Sequence, residues 1–223
     1  MARESAKHVG FDISGARVAV QGFGNVGSIS AKLLAQIGAK VVAVTDWKGG
    51  VYNAAGLDIP KLIDYVNSQR EQRSVEGFTL AEPLTNEQLF TLDVDVLIPA
   101  ALENQITMDN APAVRAKVVI EGANGPTTPE AHQHLHQRGV FVVPDILANS
   151  AGVTASYFEW VQDRYGYFWT EKDVNERLEM KMCEAFNAVL QTSLKYHVDM
   201  RMAAYIVAID RVATVTRTRG MYA

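Results

Sequence analysis

The feature that most constrains this chain is the run Val18-Ala19-Val20-Gln21-Gly22-Phe23-Gly24-Asn25-Val26-Gly27, in which an apolar segment leads straight into glycines at the first, third and sixth places of a hexapeptide. A segment at helical spacing, Ser28 to Ile37, leaves the last glycine, so the glycines fall in a strand-to-helix turn. Each has a physical task there. Gly22 permits the tight turn, Gly24 omits a side chain where backbone must approach a ligand, and Gly27 lets the helix pack close to the strand. The N–H groups of the first helical turn then face anionic groups, helped by the helix dipole. A hexapeptide of this kind is common by chance; its setting between strand and helix is what points to a dinucleotide pyrophosphate.

An acid at the end of the next strand completes such a site. Val41-Val42-Ala43-Val44-Thr45-Asp46 supplies one about 20 residues beyond the glycines, the interval the ribose partner requires. A carboxylate there accepts hydrogen bonds from ribose hydroxyls and repels a 2′-phosphate, which favours NAD over NADP. Lys48, two residues on, would partly neutralise a 2′-phosphate and allow mixed use. The competing reading is that Asp46 only starts a turn before Gly49-Gly50.

Further short runs follow the same alternation. Arg17 to Gln21, Lys40 to Thr45, Val94 to Ile98, Lys117 to Glu121 and Val140 to Val143 read as buried parallel strands. Gly38 closes the first crossover helix, and Asp58-Ile59-Pro60 opens another through about Ser68. After Pro144 the pattern becomes helical: Ser150 to Tyr165, Glu171 to His197 and Met200 to Arg217, with a break at Gly166. The expected fold is α/β, a Rossmann-type doubly wound, mostly parallel sheet with a helical C-terminal extension. It reads as a single dinucleotide-binding domain over 1–223, with the Rossmann core at about 11–150 and a helical cover and tail at about 151–223.

Composition removes several alternatives. A net charge of -4 argues against a polyanion-binding surface, so no nucleic-acid partner is expected. Cys183 is the only cysteine, and no apolar run reaches the roughly 18 to 20 residues of a membrane span. The charged N-terminus lacks a secretory core, which suggests a cytoplasmic protein.

Taken together, Val20 to Ser28, Asp46 to Asn53, Asp95 to Asn104, Glu121 to Thr128 and Pro144 to Trp160 resemble, in order, segments of the glutamate dehydrogenase family. Leucine, phenylalanine and valine dehydrogenases share the architecture and fit the segments after Asp95 less well. The resemblance implies oxidative deamination of L-glutamate to 2-oxoglutarate and ammonia, with NAD as hydride acceptor. It puts Gly22, Phe23, Gly24, Asn25, Val26 and Gly27 against the pyrophosphate, and Asp46 at the adenosine ribose. It puts Ala100, Ala101 and Asn124 at the nicotinamide ribose, counts Asn104 among the cofactor-binding residues, and puts Asn149 near the carboxamide and the substrate and Ser156 on the substrate's side-chain carboxylate. Ala151 stands where the family has glycine, so the local backbone there is expected to differ.

Members of that family are much longer, with an N-terminal domain that holds the catalytic lysine and aspartate and most contacts of a homo-oligomer. That half is absent from this sequence, and Lys48, which precedes Gly49-Gly50 in the ribose turn, does not replace the family's lysine. Hence no catalytic residue is expected in this chain, which should bind NAD without turnover and pair with its own catalytic domain. A stand-alone NAD-binding regulatory module is the alternative. Without that partner, Tyr205, Ile206, Ile209 and Val212, within the segment Met200 to Tyr222, form an apolar stripe open to self-association.

His132, His134 and His136 lack a completing carboxylate or cysteine, so no metal site is expected; they read as the wet face of a helix starting near Thr128-Pro129-Glu130. Tyr157, Phe158, Trp160, Tyr165, Tyr167, Phe168 and Trp169 read as core packing or an interface with the absent domain, and Cys183 as a packing residue.

Overall fold

The structure is a computed structural model describing residues 1–220, so Tyr222, at the end of the apolar C-terminal segment, lies outside the described residues. The chain divides into two compact units, one of Ala2–Asp145 and one that begins at Ile146.

In the first unit the elements run α1 (Ala2–Val9), β1 (Arg17–Gln21), α2 (Asn25–Gln36), β2 (Lys40–Thr45), β3 (Gly50–Tyr52), α3 (Ile59–Ser68), β4 (Glu82–Leu84), α4 (Asn86–Phe90), β5 (Val96–Pro99), β6 (Val118–Ile120), α5 (Pro129–Gln137) and β7 (Phe141–Val143). They build one seven-stranded sheet in the order β4-β3-β2-β1-β5-β6-β7. β1, β2, β5, β6 and β7 are parallel, and β3 runs antiparallel to both β2 and β4. The chain steps from β1 to β2 on one side and later returns across β1 to β5 on the other. The sheet therefore reverses its winding between β1 and β5, the place where open α/β sheets leave a crevice beyond the strand ends.

Val18, Ala19, Val20, Val41 to Val44 and Val96 to Ile98 are all buried, which explains why the central strands are apolar at every position rather than at alternate ones. α2 buries Gly27, Ala31 and Leu34, one stripe at helical spacing. Asp58 caps α3 by accepting from Lys61 N at 3.2 Å, and Gly38 takes φ +88 after α2, as the sequence suggests.

Three expectations need correction. α2 starts at Asn25 rather than Ser28, because Gly24 is extended (φ -80, ψ -157) and the helix begins directly after it. β5 starts at Val96 rather than Val94, since Asp95 serves as an anchor at the strand entrance: its carboxylate accepts from Arg17 N at 2.8 Å and Lys117 Nζ at 2.7 Å. The histidines are not a wet face, because His132 is buried on α5, His134 is half-buried and only His136 is exposed. Among the described residues no His, Cys, Asp and Glu cluster could hold a metal ion. β3 and β4 went unread because they are three residues each, and β4 is the exposed edge sequence Glu82-Pro83-Leu84.

In the second unit α7 (Ala151–Tyr165), α8 (Glu171–Tyr196) and α9 (Met200–Arg219) follow the short α6 (Asp145–Ala148) that starts at the boundary. Gly166 ends α7 at φ +64, Thr170 and Asp173 form a capping box on α8, and Asp199 caps α9 through Arg201 N and Met202 N. Of the aromatic group, Phe158 is buried, with Trp169 edge-on at 5.5 Å; Tyr157, Trp160, Tyr165, Tyr167 and Phe168 are exposed, so core packing accounts for only part of it. Tyr205, Ile209 and Val212 are exposed along α9, while Ile206 is half-buried. Among the described residues no helix is long and apolar enough to cross a membrane.

Burial pushes the Asp95 carboxyl up, but its bonds to Lys117 and Arg17 outweigh this and hold it below the ordinary 3.8. A lowered folded value gives stability that is complete above 3.8 and disappears as pH falls through the folded value. Asp95→Asn should therefore destabilise the chain at neutral pH, and the gap from wild type should close in acid. Urea denaturation at a series of pH values checks this; a gap that is constant with pH would exclude the linkage.

Candidate cofactor site

The site is built where β1, β2, β5 and β6 end. Gly22 N donates to Thr45 O at 2.7 Å, Ala100 N to Gln21 O at 2.8 Å, and Gly122 N to Pro99 O at 3.0 Å, so the turns after these strands lie side by side. Their packing leaves no room for side chains. A Cβ on Gly22, which has φ +90, would stand 2.6 Å from Ala100 O, and one on Gly27 would stand 1.8 Å from Gly22 O. A Cβ on Gly122 would lie 3.1 Å from Ala100 Cβ and 3.4 Å from Val26 Cγ1. Gly122 thus joins these strand ends; the sequence marks its segment, Glu121 to Thr128, but only the contact shows what this glycine does there.

Gly24 is different. Its φ is negative, and a Cβ there would meet nothing within 4 Å. Neither backbone strain nor a neighbouring protein atom requires glycine, which leaves the space in front of it as the reason. That space is headed by the start of α2: the first bond of the helix is Ser28 N to Gly24 O at 3.0 Å, so the amides of Asn25, Val26 and Gly27 precede it. Asn25 and Val26 are exposed. The combination of amides that precede the first helical bond, a helix N-terminus with exposed Asn25 and Val26, and an unfilled glycine fits a pyrophosphate.

At the adjoining strand end, Asp46 is closely engaged by the protein. Its carboxylate accepts from Lys48 N at 2.9 Å, Gly49 N at 3.4 Å, Ser74 Oγ at 3.0 Å and Val75 N at 2.7 Å. That is about as many donors as a carboxylate accommodates. Asp46 therefore does form the turn into Gly49-Gly50, and it also fastens the loop of residues 69–77. Gln69 binds that loop twice through Ser74, and Trp47 Nε1 donates to Arg73 O at 3.2 Å. Sequence reasoning missed this loop because its polar residues carry no period, and the bond from Asp46 to Val75 spans 29 positions.

Ala100 is half-buried, whereas Ala101, Asn104 and Asn124 are exposed around the same strand ends. Asn104 takes φ +55, a conformation asparagine tolerates, and its N–H donates to Gly125 O at 2.9 Å. Gly125 N in turn donates to Asp145 Oδ2 at 2.7 Å. Asn149 and Ser156 belong to the helical unit: Asn149 is half-buried ahead of α7, and Ser156 is exposed on α7.

The sheet order and the glycine turn define a Rossmann-type α/β protein. The chain belongs to the Glutamate/Leucine/Phenylalanine/Valine dehydrogenase family, whose sequence profile matches residues 1–220. It is 55% identical over 215 residues to a glutamate dehydrogenase of Thermotoga maritima, covering 96% of this chain and 51% of the relative. It is 47% identical over 217 residues to an NAD-specific glutamate dehydrogenase of Staphylococcus aureus, covering 97% and 51%. A hetero-hexameric glutamate dehydrogenase from Thermus thermophilus, solved with Leu bound, superposes with a TM-score of 0.90 at 36% identity, over 100% of this chain and 52% of that one. The chain thus spans about half the length of the relatives it matches.

Two stability measurements separate the roles of these residues. Gly27→Ala should cost on the order of 2–4 kcal/mol, since backbone must move to admit the methyl, whereas Gly24→Ala should stay within about 1 kcal/mol. Equal losses in denaturant titrations would remove the distinction. Asp46→Ala strands Ser74 Oγ and Val75 N and should cost about 1–3 kcal/mol. Amide exchange should quicken across residues 69–77 and not in β6, and unchanged exchange at Val75 would refute the fastening role.

Proposed function

We propose that this chain is the cofactor-binding half of an NAD-dependent glutamate dehydrogenase, with the cofactor's pyrophosphate seated on the Gly22–Gly27 turn. Gly24 carries the proposal: it is a glycine that no feature of the protein demands, set before the leading amides of α2. Glutamate as substrate, and NAD as cofactor, are supported by the names of the Thermotoga and Staphylococcus relatives.

In this reading Asn25 and Val26 hold the phosphates, and Ala100, Ala101, Asn104 and Asn124 border the nicotinamide ribose at the crevice between β1 and β5. Asn149 orients the carboxamide and borders the substrate, and Ser156 bonds the substrate's side-chain carboxylate. When bound, the nicotinamide supplies hydride acceptance; the task of the protein is to hold it and the amino acid in register. The negative charge at Asp46 disfavours a 2′-phosphate, which supports NAD over NADP. Acid–base groups over the α-carbon are assigned to the part of the relatives that this chain does not match, and an oligomeric assembly is assigned to the longer enzyme. The chain by itself should bind nucleotide without turnover.

Calorimetry of the chain with NAD tests this. One site per chain is expected, with Gly24→Val losing binding while its melting temperature stays near that of wild type. Retained affinity in that variant would take the glycine turn out of the site. Glutamate with NAD should give no rise in absorbance at the reduced-nicotinamide band, and a steady rise would locate catalytic groups within this chain.

A further inference from the structure

Beside Asp46 the structure carries a second, outward-facing pair of charges. Lys48 Nζ lies 3.5 Å from Glu76 Oε2, with 39% and 55% of the two side chains exposed. Asp46 itself is turned onto Lys48 N, Gly49 N, Ser74 and Val75, whereas Lys48 and Glu76 face outward beside this turn, where Glu87 lines the same hollow. In folds of this type the adenosine ribose lies beyond the end of the second strand, here Thr45 and Asp46. A 2′-phosphate there brings close to two negative charges. An ammonium two residues past Asp46 is the group suited to receive it.

We propose that Glu76 determines which ribose the site accepts: by pairing with Lys48 it withholds that ammonium from a 2′-phosphate. The inference rests on the nucleotide-binding reading above and names what sets its selectivity. Glu76 acts through Lys48, so it is a positioning residue rather than a contact. Its position does not depend on the ion pair. Glu76 N donates to Ser74 Oγ at 3.1 Å and its carbonyl accepts from Tyr65 Oη at 2.8 Å, so the loop keeps its path when the side chain is changed. The loop is held at the strand end by Asp46, which makes Asp46 the support of the arrangement and Glu76 its selective element.

The experiment is calorimetric titration of the chain with NAD and with NADP, at low and high ionic strength, for wild type, Glu76→Gln and the double variant Glu76→Gln/Lys48→Met. Glu76→Gln should tighten NADP about tenfold while NAD stays within about twofold, the gain shrinking in high salt. The double variant should return NADP affinity to the wild-type level, which a merely structural role of Glu76 would not produce. An NADP to NAD ratio unchanged in Glu76→Gln overturns the proposal and leaves nucleotide binding standing. A gain that persists in the double variant also overturns it, because Lys48 would then not be the agent. Failure of wild type to bind either nucleotide overturns this proposal together with the reading beneath it. Glu76→Ala, expected to behave as Glu76→Gln, serves as the second substitution should the glutamine variant fold poorly.

Discussion

The first unit depends on a contact between two stretches of backbone. Gly27, in the first turn of α2, sits so close to the carbonyl of Gly22 that a Cβ would stand 1.8 Å from that oxygen. This approach lets α2 start directly after the turn, bury Ala31 and Leu34, and leave its leading amides at the end of β1. Gly22 in turn packs on Ala100, and Ala100 on Gly122, so three strand ends are drawn to one place by the absence of side chains. Apolar burial holds the sheet together, but it does not specify that junction; van der Waals exclusion does.

The same region shows a division of labour among charges. Asp46 is consumed by hydrogen bonds that fix the 69–77 loop, a use that needs a carboxylate with all its acceptor positions filled. Asp95, at the opposite end of the strands, does comparable work by joining Arg17 and Lys117 across the entrances of β1, β5 and β6. Lys48 and Glu76 remain at the surface, where an ion pair adds little stability. Groups that add little to folding are free to serve selectivity.

Much of the fold was legible because buried parallel strands are apolar throughout and their helices are punctuated by Gly38, Asp58 and Gly166. β3 and β4 were not, since three-residue strands carry no period and form only by pairing in space, β3 with β2 and the edge strand β4 with β3. Of the candidate site, the glycine turn and Asp46 could be found from their spacing along the chain. Gly122 and the 69–77 loop could not, because the contacts that give them meaning join residues far apart in sequence. For the histidines of α5, a helical repeat shows which residues share a face, but His132 is buried because of where α5 packs.

By itself, then, the sequence determined the strand-turn-helix start, the alternation that makes a doubly wound sheet, and the acid at the end of β2, because local conformation and burial impose those residue types on neighbouring positions. Tertiary structure alone decided what each does. It separated Gly27, which the protein's own packing requires, from Gly24, which only an open space explains. It also turned Asp46 inward onto a loop and left Glu76 beside Lys48, since hydrogen-bond donors and charges act through distance in space and chain separation does not encode it.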